Sequence, residues 1–196
     1  GGSEMCIRDS TTRDLFDEET GARYDYGDGR IVCRDPAKVF KQLGNTKGTN
    51  LYGLDSLSNG GPVYVVEGEK DADTAAHVWH AAAVTQAQGA STGPERANWE
   101  PLADRDVIII ADNDAPGRKR ADKVFTYLTG MSPRPASIII KAAKEGKDLS
   151  DHIAAGHTAD ELVDQGAKIT RRRVKLTPAT SIKTETIDWV IDQWIP

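Results

Sequence analysis

The sequence predicts an α/β protein: a Rossmann-like parallel sheet flanked by helices, preceded by a small β-rich N-terminal extension. Three observations carry this. Residues 63–66, 107–111 and 138–140 are short apolar runs without polar alternation, the pattern of strands buried on both faces of a parallel sheet. The segments between them carry apolar residues at helical spacing, namely Ala72, Ala75, Ala76, Trp79 and Ala83 in one and Ala121, Val124, Phe125 and Leu128 in another. The two patterns alternate, which implies parallel strands joined by right-handed crossovers.

Taken in order, residues 1–20 carry no usable pattern and read as unstructured or non-native, with 1–10 unlike the start of a natural domain. Residues 21–61 form the extension. Tyr24 and Tyr26 alternate with Arg23 and Asp25, Gly27-Asp28-Gly29 supplies a turn, and Ile31-Val32-Cys33 returns, so a hairpin is expected, with a short strand at 38–40. Residues 44–61 are rich in Gly, Asn, Ser and Thr and read as loop anchored by Leu51, Leu54 and Leu57. Residues 62–165 form the main domain. Its first strand, 63–66, is followed by a helix, a weaker strand at 84–88 closed by Gly89, and a third strand at 107–111. A second helix ends at Gly130 and Pro133, a fourth strand covers 138–140, and short helices are expected at 149–154 and 159–163. Residues 166–196 change character: a basic run at 171–175, a linker with Pro178, then an apolar stretch with Trp189 and Trp194 that suggests the first element of a further domain.

A length of 196 residues suits one domain with flanking pieces, and a hydrophobic content of 38% suggests one core with polar ends. The formal charge of −5 excludes a uniformly basic coat but leaves room for a local basic surface. No apolar run is long enough to cross a membrane, and no secretory signal is present. Cys6 and Cys33 suggest neither a disulfide framework nor a zinc site. The expected location is cytoplasmic.

Three acidic groups follow three of the expected strands: Glu67, then Asp112-Asn113-Asp114, then Asp148-Leu149-Ser150-Asp151. If the strands are neighbours, these carboxylates crowd one edge of the sheet, where open α/β sheets place ligands. Unpaired carboxylates that close repel one another, and a hard divalent cation removes that penalty. A strand-end D-x-D brings two acids to one point, leaving Glu67 to move a proton. Metal plus acid at a sheet edge is the layout of phosphoryl or nucleotidyl transfer. Simpler roles remain open for the same residues. Asp114 and Asp148 each read as the N-cap of a following helix, and Asp112 and Asn113 as turn residues. Arg118-Lys119-Arg120 reads as a solvated face or a phosphate contact, with Arg118 favoured for contact. Lys141, Lys144 and Lys147 read as an exposed loop or a phosphate-facing strip, and 171–175 as linker or DNA contact. His77 and His80 read as surface residues, Trp79 as core, and His152 and His157 show no ligand spacing.

The motifs E-G-E-K-D-A at 67–72, D-N-D at 112–114 and K-D-L-S-D-H-I at 147–153 each follow an expected strand, and together they resemble the Toprim domain. That domain is shared by DnaG-type primases, type IA and type II topoisomerases and some nucleases. The resemblance covers about 62–165. It implies that Glu67 is the general acid/base, that Asp112 and Asp114 hold Mg²⁺ (or Mn²⁺), and that Asp148 assists. Asp71 and Asp151 match the pattern less closely, and Gly89 would keep the loop beside the active edge small. Lys70, Arg118 and Lys147 are the candidates for nucleic-acid or phosphate contact. The segments Y-D-Y-G-D-G-R at 24–30, F-K-Q-L-G-N-T-K-G at 40–48 and A-T-S-I-K at 179–183 look like phage and prophage primase-helicases, in which a Toprim segment precedes a RecA-like ATPase. This likeness implies a DNA primase-like nucleotidyltransferase making RNA primers from nucleoside triphosphates on single-stranded DNA, with a replicative helicase or ATPase domain in cis and no membrane partner. The phosphate-binding loop G-x-x-x-x-G-K-[ST] of such an ATPase does not occur in these 196 residues, and two cysteines cannot supply a primase zinc module. A Toprim nuclease, or a non-catalytic DNA-binding or regulatory Toprim module, is compatible with the same motifs.

Overall fold

Two sheets share one body of structure, which a computed structural model describes for residues 21–170 apart from 36, 38 and 89–91. Gly89, residues 1–20, the basic run at 171–175 and the apolar tail lie outside the described residues. The N-terminal sheet is an antiparallel meander of β1 (Ala22–Asp25), β2 (Arg30–Arg34) and β3 (Phe40–Gly44), in that order. The expected hairpin is β1–β2, with Tyr24 opposite Val32. The strand expected at 38–40 begins only at Phe40 and pairs with β2 through Gly44.

The main sheet contains β4 (Val63–Val65), β5 (Ala82–Val84), β6 (Asp106–Ala111), β7 (Ser137–Ala142) and β8 (Val163–Thr170), in the order β5-β4-β6-β7-β8. The first four are parallel and β8 is antiparallel to β7. β8 therefore carries the sheet through residue 165, where the sequence placed the end of the main domain. The residues 159–163 expected as a short helix are a single 3-10 turn, Ala159–Glu161, that leads into this strand.

Three helices cover the sheet: α1 (Glu69–Val78), α2 (Ala115–Gly130) and α3 (Leu149–Ala154). The two-sided burial expected of the apolar runs is realised in β6. Val107 and Ile109 pack with Val124 and Leu128 of α2, while Ile108 and Ile110 join the core on the other face, with Ala72 and Ala75 of α1 and Leu149 and Ile153 of α3. Leu51, Leu54 and Leu57 are anchors as expected, all packing into the core on the α2 side.

A further boundary differs from the sequence reading. Ala83, assigned to the stripe of the first helix, lies in β5, which is Ala82–Val84 rather than 84–88. α1 ends at Val78, and His80 takes φ 50° as the chain turns back. Alanine favours helix, but burial between β4 and the segment at Leu54–Asn59 overrides that weak preference. Residue 85 keeps only an isolated antiparallel bridge to Tyr52. No helix among the described residues is long and apolar enough to cross a membrane.

The small sheet is joined to α1 by tyrosines. Tyr24 and Tyr26 pack against Tyr52 with ring centroids 5.4 and 5.5 Å apart. The Tyr26 hydroxyl donates to Glu69 Oε1 at 2.7 Å, and that of Tyr52 to Asp73 Oδ1 at 2.8 Å. Both acids are buried in the first turns of α1. Burial holds the Glu69 carboxyl above its ordinary range, and the phenol hydrogen bond opposes that shift without reversing it. Tyr26→Phe should therefore leave a buried acid without its donor and lower stability by about 1–3 kcal/mol, read as a shift in urea midpoint at unchanged m-value.

Candidate active site

The ends of β4, β6 and β7 lie side by side because these strands are adjacent and parallel. Glu67 follows β4, Asp112 follows β6, and Asp148 follows β7 after a five-residue loop. The first turn of α1 adds Asp71. These four carboxylates line one cavity of about 590 Å³, and Lys70 reaches its wall. The opposite wall is the small sheet, through Arg34, Phe40 and Gln42. The sequence placed the hairpin ahead of the main domain but did not show that it closes the site.

Hydrogen bonds hold each acidic segment in place. Thr85 Oγ1 donates to the carbonyls of Val66 and Glu67, at 2.8 and 3.0 Å. Asn113, the middle residue of D-N-D, donates its amide to the carbonyls of Ala143 and Gly146, and its backbone N–H to that of Lys147. The loop before Asp148 is thus stapled to the loop that carries Asp112. Asp71 Oδ1 accepts both the backbone N–H and the hydroxyl of Ser150, which ties α1 to α3.

Burial pushes the Asp112 carboxyl up to about 7, aided by the charges of Glu67, Asp71 and Asp148 and opposed by Lys147. Asp71 is pushed up to about 6 by burial and then by Asp148, against the two bonds from Ser150. Such a rim holds more negative charge than it can neutralise internally.

The remaining expected residues sit elsewhere. Asp114 caps α2, accepting from Gly117 N at 2.7 Å, and pairs with Lys147 Nζ at 3.1 Å. The Gly117 bond and then Lys147 hold it below the usual carboxylate range. It is not among the cavity-lining residues. Asp148 also caps its helix, accepting from Asp151 N, yet it lines the cavity. One side chain thus caps the helix and borders the cavity. Asp151 accepts from Lys147 N and shapes the loop. Arg118 is exposed at the start of α2, whereas Arg120, read with it as one basic face, is 4% exposed. Its Nη2 donates to the Val66 carbonyl at 2.8 Å. Burial pulls its pKa down, against Glu67, Asp112, Asp71 and Glu69, which hold the proton. The helical phase that buries Ala121, Val124 and Leu128 also turns residue 120 inward, and this was the available signal. Ser150, Asn113 and the small-sheet residues carried none.

Among the described residues no three acidic, histidine or cysteine side chains converge closely enough to hold a metal by themselves. The donor set still fits a hard cation. Mg²⁺ takes one or two carboxylates and fills its remaining positions with water and substrate phosphate. A second cavity of about 600 Å³, lined by Arg30, Lys47, Gln86 and Arg96, shares Gln42 and Gln88 with the acidic one.

Asp71 and Asp112 bind protons more tightly in the folded chain than in the unfolded one. Their contribution to stability is therefore full below the ordinary carboxylate range and lost as pH rises through about 6 and about 7. In metal-free buffer, stability should fall from about pH 4 to about pH 8, and Asp112→Asn should flatten the decline, as followed by urea denaturation across pH. A Cβ at residue 117 would stand 2.5 Å from Asp112 Cβ. Gly117→Ala should thus displace Asp112 and cost about 1–3 kcal/mol despite alanine's better helix propensity, as read by the same denaturation at one pH.

No curated protein matches the chain. Residues 62–144 match the family model of the Toprim domain. Among solved structures, the primase fragment of the bacteriophage T7 primase-helicase aligns at 22% identity and TM-score 0.52, over 74% of this chain and 57% of that one. A chain in the bacteriophage T7 lagging-strand DNA polymerase structure, in which primase domains are bound to an RNA/DNA hybrid and dTTP, aligns at 26% identity and TM-score 0.53, over 72% and 68%. The DnaG catalytic core aligns at 19% identity and TM-score 0.51, over 76% of this chain and 52% of that one. This chain thus spans little more than half of the T7 primase fragment and of the DnaG core. The strand order, the acidic rim and the family match agree with one another: residues 62–144 match the Toprim domain model, and the chain shares its fold with the T7 primase fragment and the DnaG catalytic core.

Proposed function

We propose that this chain carries the nucleotidyl-transfer centre of a cytoplasmic DNA primase, which joins ribonucleotides on a single-stranded DNA template. The observation that supports the reading is the meeting of Glu67, Asp71, Asp112 and Asp148 in one cavity. Asp112 and Asp148, with Asp114, would hold Mg²⁺ or Mn²⁺, which supplies Lewis-acid neutralisation of the triphosphate. Asp114 is committed to Gly117 and Lys147, so its part requires release of Lys147, whose ammonium then serves the substrate phosphates with Lys70 and Arg118. Glu67, at the mouth of β4, takes the proton from the attacking 3′-hydroxyl. The O3′–Pα bond forms, the bond from Pα to the bridging oxygen breaks, and pyrophosphate leaves. Asp71 stands behind as a fixed acid, and Asp151 keeps the Lys147 backbone in position.

The second cavity suits the template, with the cationic side chains of Arg30, Lys47 and Arg96 along its wall. Phosphates there need no metal, because the protein supplies the positive charge. In the full-length protein we place a helicase or ATPase domain in cis, following the likeness of 24–30, 40–48 and 179–183 to primase-helicases.

A non-catalytic DNA-binding module is the second reading. It is favoured by the absence, among the described residues, of three converging metal ligands. Ribonucleotide incorporation on single-stranded DNA with Mg²⁺ or Mn²⁺ separates the two. Glu67→Gln should cut incorporation about 100-fold or more while template binding persists. Template binding with no synthesis by the unaltered chain would establish the module, and strand cleavage in place of synthesis would establish a Toprim nuclease.

A further inference from the structure

Arg120 occupies a position where an aliphatic residue would fit the pattern of α2. It lies one turn after Gly117 and beside Ala121, within the face that buries Val124 and Leu128. Burying a guanidinium here forfeits hydration that an apolar side chain would never need. The hydrogen bonding does not return it: Nη2 reaches the Val66 carbonyl, while the buried Nε has no partner. A guanidinium carries five donor hydrogens. What its surroundings do offer is negative charge, from Glu67, Asp112, Asp71 and Glu69. The carbonyl it grips belongs to the residue directly before Glu67 and also accepts from Thr85.

We propose that Arg120 is a positioning residue of the acidic centre: a fixed cation beneath the carboxylates that anchors the end of β4 under Glu67 and holds the acids together before any divalent ion arrives. It follows that Arg120 competes electrostatically with the ion, so the centre takes metal weakly and releases it readily. This second consequence rests on the proposed metal-dependent function, whereas the first stands on the metal-free protein.

The test uses Arg120→Met, Arg120→Lys, Asp112→Asn and the Arg120→Met/Asp112→Asn double variant. In EDTA, melting temperatures form a double-mutant cycle. Asp112→Asn should restore stability to Arg120→Met well beyond its effect in the unaltered chain. If Arg120→Met does not fold, the double variant should. Additive shifts, or a double variant as unfolded as the single, would overturn the proposal. Calorimetric titration with Mn²⁺ then reads the competition. Folded Arg120→Met should bind the ion roughly fivefold or more tightly than the unaltered chain, the low end of coupling between interacting sites, and Arg120→Lys should stay close to the unaltered value. A purely structural arginine predicts unchanged or weaker binding, and either result would overturn the competition. If the unaltered chain takes no Mn²⁺, the metal-dependent function fails instead, and the EDTA cycle alone decides the role of Arg120.

Discussion

Mutual repulsion among carboxylates gathered at one rim is the constraint on which this structure depends. Five acids line a single cavity, and Asp71 and Asp112 are driven above their ordinary proton affinity by burial and by neighbouring carboxylates. Such an arrangement is costly and persists only where the backbone denies the acids any route apart. The adjacent ends of β4, β6 and β7 supply that restraint. The polar contacts around the rim then reinforce it: Thr85 on the end of β4, Ser150 on Asp71, Asn113 between the two acidic loops, and Lys147 at the outer edge.

The small sheet has a specific part in this arrangement. Its inner face closes the cavity, and its tyrosines bury two acids of α1 by donating to them. α1 therefore faces charge on two fronts, with Asp71 turned to the cavity and Glu69 bonded to Tyr26 while also bordering the cavity. The helix that begins with E-K-D is fastened to both layers, and its position relative to the rim follows from contacts on either side. A shift of the small sheet would move the cavity wall and α1 together.

The likeness to phage T7 and DnaG primase structures concerns the fold, and the family match concerns residues 62–144. The acids of the two loops serve as helix caps and stand at or beside the rim. Asp148 caps α3 while lining the cavity, and Asp114 caps α2 while pairing with Lys147. A carboxylate has two oxygens and several lone pairs, so one acid can satisfy a helix end and still face a ligand. The simple and the functional readings of these positions were never exclusive.

Much of the fold was legible without coordinates. The apolar runs at β4, β6 and β7 declared buried strands, since only two-sided burial tolerates such runs, and an acid followed each of them directly or after a short loop. β5 was misplaced because Ala82 and Ala83 carry no strong local preference, and their burial between β4 and the segment around Leu54–Asn59 is a tertiary fact. The antiparallel β8 was hidden for a related reason: its residues are mostly exposed and polar, and pairing with β7 alone makes them a strand. The linear order of residues therefore determined which segments become strands and which acids stand at their ends. Tertiary structure decided which of those acids share a cavity, that the hairpin forms its far wall, and that Arg120 turns inward while Arg118 stays in water. Those outcomes depend on strand order and on the rotation of α2 against the sheet, and both are set by packing between segments far apart in the chain.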